Sequence, residues 1–472
     1  MRLLANVTPT SEQLTIVSRN RLGIEIIRGS AGSGKTTTAL LRLKSLIAMF
    51  RSRKKRLNDG SPIRVLVLTF NRTLSGYMRA LAEEQVRLGE NVELEVSTFA
   101  SWAIRALSKD LGITINIIDN SMREYKINSL AKGIDLPERY APEEVDYLLG
   151  RFLPENLGEY STAVRTGRGR NPRVDRDVRE TLLTQVVFPY LTWVKGQNKW
   201  DWSDLAIQMA AKRRLEPYDI IIADEAQDFS ANELRAIKCH LADEYSFVAV
   251  LDTVQRIYSR GYTWKECGFT VRPEQTRRLK VNFRNTLEIA KLAASLVQDL
   301  DMDDDGSLPD FTSCERSGKL PYVLVGRFQQ QLNWCLDYIK NEVDLEQESV
   351  VFLYPQGGGL FNRTKRELES SGLSFVELRK NSEWPRGPEN IGISTMHSVK
   401  GLEFDHVIAI GLSQDMMEKE LDDSDERMHT LRKLLAMAIG RAKQSVVLGS
   451  TLGEESRLIK YLEKESYKTI KL

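Results

Sequence analysis

Short runs of apolar, often β-branched residues recur along the chain, and segments with apolar positions at helical spacing separate them. In the first half they read "GIEIIR" (23–28), "RVLVLTF" (64–70), "VELEVSTFAS" (92–101), "YDIIIADEAQDFS" (218–230) and "FVAVLD" (247–252). In the second half the theme repeats with "YVLV", "SVVFLYP", "FVEL", "IGISTM", "HVIAIGL" and "SVVLGS". Near-continuous apolar runs of this length fit parallel strands buried on both faces. Alternation with helices then predicts doubly wound α/β sheets. The first-lobe runs "RVLVLTF" and "FVAVLD" are expected to flank the other strands of their sheet.

The chain's 472 residues exceed what one hydrophobic core usually supports. The pattern divides them into a first lobe (1–105 and 200–283), an insertion (106–199) and a second lobe (284–472). The insertion is expected to be mostly helical and basic. Apolar residues at 42% and charged residues at 28% suit a soluble globular protein. No apolar run approaches the roughly 20 residues that span a bilayer, and the N-terminus is too short in apolar residues for a secretory signal. Cys239, Cys267, Cys314 and Cys335 lie far apart, which argues against a zinc site or disulfide framework and favours a reducing cytoplasm. A net charge of +2 means that a polyanion must be met by local basic surface.

The stretch "GSAGSGKTT" (29–37) meets the pattern G-x-x-x-x-G-K-[ST] with Gly29, Gly34, Lys35 and Thr36. A strand precedes it and a helix follows, the context of a phosphate-binding P-loop. Small residues, here Gly29, Ser30, Ala31, Gly32, Ser33 and Gly34, let backbone N–H groups curl around phosphate oxygens at a helix N-terminus. Lys35 would reach the β- and γ-phosphates, and the Thr36 hydroxyl would sit on Mg²⁺. The run therefore predicts ATP-type nucleotide binding.

The strand ending in Asp224-Glu225 would deliver two acids beside the phosphates: Asp224 to hold Mg²⁺, Glu225 to orient or deprotonate the attacking water. Alone, such a pair is commonly a solvated strand end; beside a P-loop it reads as an ATPase centre. No second P-loop appears in the second lobe, but "NFRN" presents Arg284 and "AMAIGRAK" presents Arg441. As a pair in a lobe without its own nucleotide, they are candidate arginine fingers. A nucleotide clamped between two lobes would couple hydrolysis to their closure.

With these residues in place the chain resembles the UvrD/Rep/PcrA-type superfamily 1 helicases, and the likeness runs through nearly its whole length. "TPTSEQ" resembles the family's adenine-reading motif, implying Gln13 on the base; "GSAGSGKTT", including Thr37, is its first motif. "LTFNRTL" (with Phe70 and Asn71) and "STFASWA" (with Thr98 and Phe99) are similar to its DNA-contacting segments. "DEAQD" is close to the second motif. "LDTVQRIYSRGYTW" resembles the third, implying Gln255 as γ-phosphate sensor and Tyr258 or Trp264 on bases. "NFRN" implies Phe283 against adenine and Arg284 on phosphate; "STMHSVKGLEFDHV" implies His397 and Lys400 near DNA and Glu403 near the ribose; "AMAIGRAK" carries Arg441. The resemblance implies two RecA-like doubly wound parallel-sheet domains with an insertion in the first. It also implies ATP and Mg²⁺ as cofactors.

Departures from the family pattern stand beside the matches. Thr37 occupies the place where many members have an adenine-sandwiching Arg, and "SRGYTW" shifts the aromatics of the third motif to Tyr262 and Trp264. About a hundred residues separate "NFRN" from "STMH", and the strands of the second lobe use them, so the mobile 2B domain is expected to be absent. No nuclease-like extension is expected after Arg441.

Phe70, Phe99, Tyr258 and Trp264 follow predicted strands on the loop side, where sequence-tolerant base stacking serves a motor. Arg165, Arg168, Arg170 and Arg173 form a cationic segment suited to phosphates or simply to solvent, and "RSRKKR" (51–56) reads as a loop. The acidic run from Asp299 to Gly306 reads as a solvated loop. The leading expectation is an ATP-dependent translocase or helicase on single-stranded DNA or a single/double-strand junction, running 3′→5′ by resemblance. The alternative is a DNA-end-sensing NTPase subunit of a larger repair or phage-defence complex, working with a protein partner such as a nuclease. An RNA-directed motor is a third reading, and no membrane partner is expected.

Overall fold

The fold is taken from a computed structural model, which describes residues 9–29, 32–69, 72–85, 91–137, 140–164, 174–252, 262–300, 314–355, 359–378, 384–385, 387–413 and 426–472. Two all-parallel sheets carry the two lobes. The first comprises β1 (Gly23–Gly29), β2 (Ile63–Thr69), β3 (Val92–Thr98), β4 (Tyr218–Ala223), β5 (Leu241–Asp252) and β6 (Thr276–Leu279), in the spatial order β3-β2-β4-β5-β1-β6. The second comprises β9 (Tyr322–Gly326), β10 (Val350–Tyr354), β11 (Phe375–Glu377), β12 (Ile391–Thr395), β13 (Phe404–Leu412), β14 (Ala442–Thr451) and β15 (Lys468–Lys471), in the order β11-β12-β10-β13-β14-β9-β15. A small parallel pair, β7 (Asn282–Thr286) and β8 (Cys314–Arg316), sits where the chain crosses between lobes.

The apolar runs became strands for the expected reason: Val350 to Tyr354 are buried without exception, and Ile26 and Ile27 have no exposed surface. Two placements differ from expectation. β2 and β5 are interior strands, β5 lying between β4 and β1, so neither flanks its sheet. The basic stretch 51–56 is no loop but the last turns of α2 (Lys35–Arg56). Cations there face the helix's negative end, and Lys54 pairs with Asp219 at 3.2 Å.

The other helices are α1 (Ser11–Val17), α3 (Arg72–Gln85), α4 (Phe99–Leu111), α5 (Asn120–Leu130), α6 (Tyr140–Arg151), α7 (Arg176–Thr181), α8 (Phe188–Gly196), α9 (Trp202–Ala211), α10 (Ala231–Cys239), α11 (Leu287–Ser295), α12 (Phe328–Glu342), α13 (Gly359–Ser370) and α14 (Glu426–Ile439). α7 runs through a π-helical turn (Leu182–Val187) into α8. The insertion has its own helical core from Ile118 to Val194, whereas Ala106 and Leu107 of α4 pack in the first-lobe core. The lobes also meet directly. Tyr77 of α3 packs edge-on against Trp384, with ring centroids 4.9 Å apart, and a Cβ at Gly401 would collide with Leu74. One apolar cluster therefore runs from Leu40 of the first lobe to Leu448 of the second.

Candidate nucleotide and nucleic-acid site

Parallel strands place all their carboxyl ends on one edge, and ligands of such sheets gather there. β1 ends in Gly29, from which the glycine run turns into α2. Gly32 and Gly34 have φ of +85° and +75°, a region that side chains other than glycine's rarely adopt. Gly34 is the N-cap of α2 with no side-chain cap, so the first N–H groups of the helix face the loop. A Cβ at either glycine would fill the cradle, running into Asn282 at Gly32 and into the Gln13 amide at Gly34. Ser30 and Ala31 lie outside the described residues.

Gln13 reaches this loop because its helix start is a capping box. Thr10 Oγ1 accepts from Gln13 N at 3.3 Å, and Gln13 Oε1 accepts from Thr10 N at 3.0 Å. The buried amide is left over the loop, with Nε2 donating to Ser33 O at 3.4 Å. On the loop's other side Phe283 N donates to Gly32 O at 3.1 Å, so β7 crosses directly over it. Thr37 is half-buried in the first turn of α2.

Two strands away, β4 delivers Asp224 and Glu225. Thr36 Oγ1 donates to both Asp224 oxygens at 3.1 Å, an oxygen-donor pair suited to a divalent cation, and Lys35 is buried beside them. Glu225 is one of four residues other than glycine with positive φ among those described, at φ 54° and ψ 43°. Such a conformation persists only where its surroundings over-determine it, and it clusters at functional sites.

The electrostatics separate these neighbouring acids. Burial, then the charge of Glu225, pushes the Asp224 carboxyl up to about 7. Burial would raise Glu225 too, but Lys400, Arg441 and Lys35, with a hydrogen bond from Gln227, outweigh it and hold Glu225 below the usual carboxylate range. Lys400 and Arg441 come from the second lobe. Lys400 Nζ is 3.6 Å from Glu225 Oε2 and pairs closely with Asp228. Arg441 is 3% exposed, with Nε directed at Met437 Sδ at 3.4 Å. Arg284 pairs with Glu403 and donates from Nη1 to Gly440 O at 3.3 Å, while its Cβ side lies against Gly32. Its Nε is buried without a hydrogen-bond partner among the described residues, a donor with capacity to spare. Burial works against the Glu403 charge, yet Arg284 and Lys443 outweigh it and hold that carboxyl down to about 2.

The expected nucleic-acid residues scatter more widely. Lys400, expected to face DNA, is 2% exposed and spends its charge on Asp228 and Glu225, so here it belongs to the acidic turn after β4. Phe99, expected to stack on bases, is 5% exposed and packs edge-on against Trp102 at 5.5 Å; it floors a cleft of about 440 Å³ rather than standing in it. Trp264 is half-buried against Tyr262 and Phe269, leaning on the first-lobe core. Thr98 spends its hydroxyl on capping α4, accepting from Ser101 N at 3.3 Å. His397 is exposed on the second lobe. Phe70, Asn71, Gln255, Tyr258 and the arginines at 165, 168, 170 and 173 lie outside the described residues, as does the acidic run from residue 301 onward.

Sequence reasoning missed one residue that the cleft displays. Trp202, at the start of α9, is 43% exposed and lines the same cleft as Arg72 and Ser101; its indole N–H donates to Asn120 Oδ1 at 3.0 Å. The tryptophan follows Asp201, whose capping box with Asp204 begins the helix. The capping pattern in "DWSDL" was available as a signal, but exposure of the ring was not.

Among the described residues no helix is long and apolar enough to cross a membrane, and no cluster of three or more His, Cys, Asp or Glu could hold a metal. Residues 10–263 match the model of the UvrD/REP helicase N-terminal domain, and residues 365–452 match that of the UvrD-like helicase C-terminal domain. A "probable DNA helicase" of Mycoplasma pneumoniae is 24% identical over 95% of this chain and 86% of its own length. A "probable DNA helicase II homolog" of the same organism is 23% identical over 76% of this chain and 52% of its own. Among solved structures, the C-terminal domain of a possible DNA helicase from a Lactobacillus strain, WCFS1, is 20% identical at a TM-score of 0.30, covering 40% of this chain and 99% of that one.

Proposed function

Since the chain belongs to the UvrD/REP helicase family of ATP-dependent DNA helicases, we propose that it is a single-stranded-DNA translocase driven by hydrolysis in the cleft between its lobes, moving 3′→5′. The observation that carries this reading is the meeting of the two lobes at the acidic turn, where Lys400 Nζ of the second lobe lies 3.6 Å from Glu225 Oε2 and pairs with Asp228 of the first. Glu225 stays ionised because the second lobe supplies Lys400 and Arg441, while Asp224 beside it is pushed up by burial. A base must be ionised to take a proton, and neighbouring acids with diverging affinities mark such assignments.

The residues then divide the work. The loop from Gly29 to Gly34, Ser30 and Ala31 included, cradles the phosphates with its N–H groups, and Lys35 neutralises them. Gln13 and Phe283 flank the base, and Glu403, held by Arg284, faces the ribose. Thr36 and Asp224 would hold Mg²⁺, which supplies charge neutralisation at the β- and γ-phosphates. Glu225 orients the attacking water and takes its proton, with Gln255 as the γ-phosphate sensor. Arg284 and Arg441 stabilise the charge that develops in the transition state. Because those arginines belong to the second lobe, ATP favours a shut cleft and ADP an open one, and nucleic acid held across both lobes is moved. Thr98, Trp202 and Trp264 on the first lobe and His397 on the second lobe provide the track, together with Phe70, Asn71 and Tyr258; Phe99 supports it from below. The compact second lobe is consistent with a motor working without a 2B domain.

The test is ATP turnover with and without single-stranded DNA, with Glu225→Gln as control. Stimulation by DNA is expected, and loss of the base should lower kcat by about 10²–10⁴-fold with ATP binding retained. Turnover indifferent to DNA would sink the motor reading. Polarity is read from displacement of blocks at either end of a single strand.

A further inference from the structure

The helical insertion is anchored beside the catalytic turn at the end of α6. The last turn of α6 abuts the first turn of α10, where a Cβ on Gly150 would meet Ser230 Cβ at 3.0 Å. Asn232 Nδ2 closes the end of α6 by donating to Leu149 O at 2.8 Å and Phe152 O at 3.0 Å. From that same end Arg151 reaches Glu266, with Nη2 at 2.6 Å and Nε at 3.2 Å from Oε1. Glu266 in turn accepts from Thr263 N at 2.7 Å and Thr263 Oγ1 at 2.9 Å through its other oxygen. The residue before Thr263 is Tyr262, whose hydroxyl donates to Ala226 O at 2.9 Å. Ala226 follows the left-handed Glu225, and its carbonyl accepts from Phe229 N at 3.3 Å as well.

We propose that Tyr262 is a positioning residue for hydrolysis, fixing the turn that carries Glu225, and that the Arg151–Glu266 pair lets the insertion hold Tyr262 in place. The proposal rests on the reading of Glu225 as the base. A side chain on a left-handed residue keeps its direction only while the following peptide is restrained, and the Tyr262 hydroxyl supplies one of the restraints on that peptide. Tyr262 reaches the turn at the Ala226 carbonyl, so it acts on Glu225 through the backbone. The insertion would thereby set the efficiency of the base without contacting nucleotide.

The experiment compares wild type, Tyr262→Phe, Glu266→Gln and Glu225→Gln by steady-state ATP turnover, with a poly-dT strand present and absent, alongside thermal unfolding. Tyr262→Phe removes one oxygen from a packed ring, so Tm and the KM for ATP should hold while kcat falls by about three- to tenfold. Glu266→Gln should lower kcat in the same direction by a smaller factor, and it carries the reading should Tyr262→Phe unfold early. Wild-type kcat in Tyr262→Phe, with Glu225→Gln inactive, overturns the positioning role alone. Full turnover in Glu225→Gln overturns the assignment of the base and this inference with it.

Discussion

The two lobes are built alike and equipped oppositely. Each is an all-parallel sheet with helices packed on it, and each lends polar residues to the cleft. The first lobe places a glycine cradle, Asp224 and Glu225 at the carboxyl ends of its strands; the second brings Lys400 from the turn after β12, Arg284 from β7 and Arg441 from the residue before β14. Neither set suffices. Without the second lobe, Glu225 would lose two of the cations that hold its carboxyl down; without the first, three cations would have no phosphate to act on. A shared sheet architecture thus says little about chemistry, which resides in what each edge lends to the other.

The sharpest way to break that comparison is to remove the donated charge. Arg441→Met should lower kcat by about 10³-fold or more, the range for arginines supplied to a phosphoryl group, while nucleotide binding to the first lobe is largely kept. Single-turnover hydrolysis with a fluorescent-nucleotide titration separates the two effects. Arg284→Met should behave similarly but also release Glu403, whose low affinity for protons depends on that guanidinium. Undiminished turnover in both variants would mean that the first lobe works alone.

The opposite, amino-terminal edge of the first sheet provides a contrast within one lobe. His240 is fully buried there, with Nε2 accepting from Arg214 N at 2.9 Å, so its proton sits on Nδ1 facing Ala236 O at 2.8 Å. A second proton would set N–H against N–H. Burial lowers its affinity for protons to about 4. The native state therefore binds fewer protons than the unfolded chain, and stability is lost as pH falls from about 6.5 toward 4. Over that window the loss is about 3 kcal/mol, since each tenfold change in proton affinity is worth roughly 1.4 kcal/mol. Urea midpoints measured from pH 7 to 4 should decline along this curve, and His240→Asn should flatten it at some cost in neutral stability. A decline unchanged in the variant would place the acid sensitivity elsewhere.

How much of this was legible beforehand varied with the kind of interaction. The strands were readable because burial on both faces demands unbroken apolar runs, and the phosphate loop because only small residues satisfy its backbone. The interior position of β5 was not, since strand order depends on packing between distant segments. Lys400 illustrates the harder limit. A lysine in "HSVKGLEF" reads equally as a surface cation or a buried one, and only the approach of Asp228, 172 residues earlier, decides it. Phe99 and Trp202 trade exposure for the same reason: Phe99, expected to stack on bases, is buried, and Trp202, for which nothing was expected, is exposed. Both are aromatic and start helices at the carboxyl edge, but Trp102 and Phe229 close over Phe99, while Asn120 of the insertion holds Trp202 by its rim with its ring open to the cleft. Exposure is a property of neighbours.

That exchange yields the mildest test of how the lobes divide the track. If Trp202 is the first lobe's stacking platform, Trp202→Ala should weaken single-stranded DNA binding by about 1–3 kcal/mol, the worth of one base on one ring. That loss corresponds to about five- to 150-fold in Kd. Phe99→Leu, which keeps an apolar floor, should leave binding nearly unchanged and lower thermal stability instead. ATP turnover at saturating DNA should survive in both variants, because neither ring reaches the phosphate loop. Fluorescence anisotropy with labelled poly-dT at two salt concentrations makes the distinction, since stacking responds weakly to salt and phosphate contacts strongly. Equal affinity in Trp202→Ala and wild type would return the stacking role to Tyr258 or Trp264. A larger loss for Phe99→Leu than for Trp202→Ala would mean that the cleft opens to its floor when nucleic acid enters.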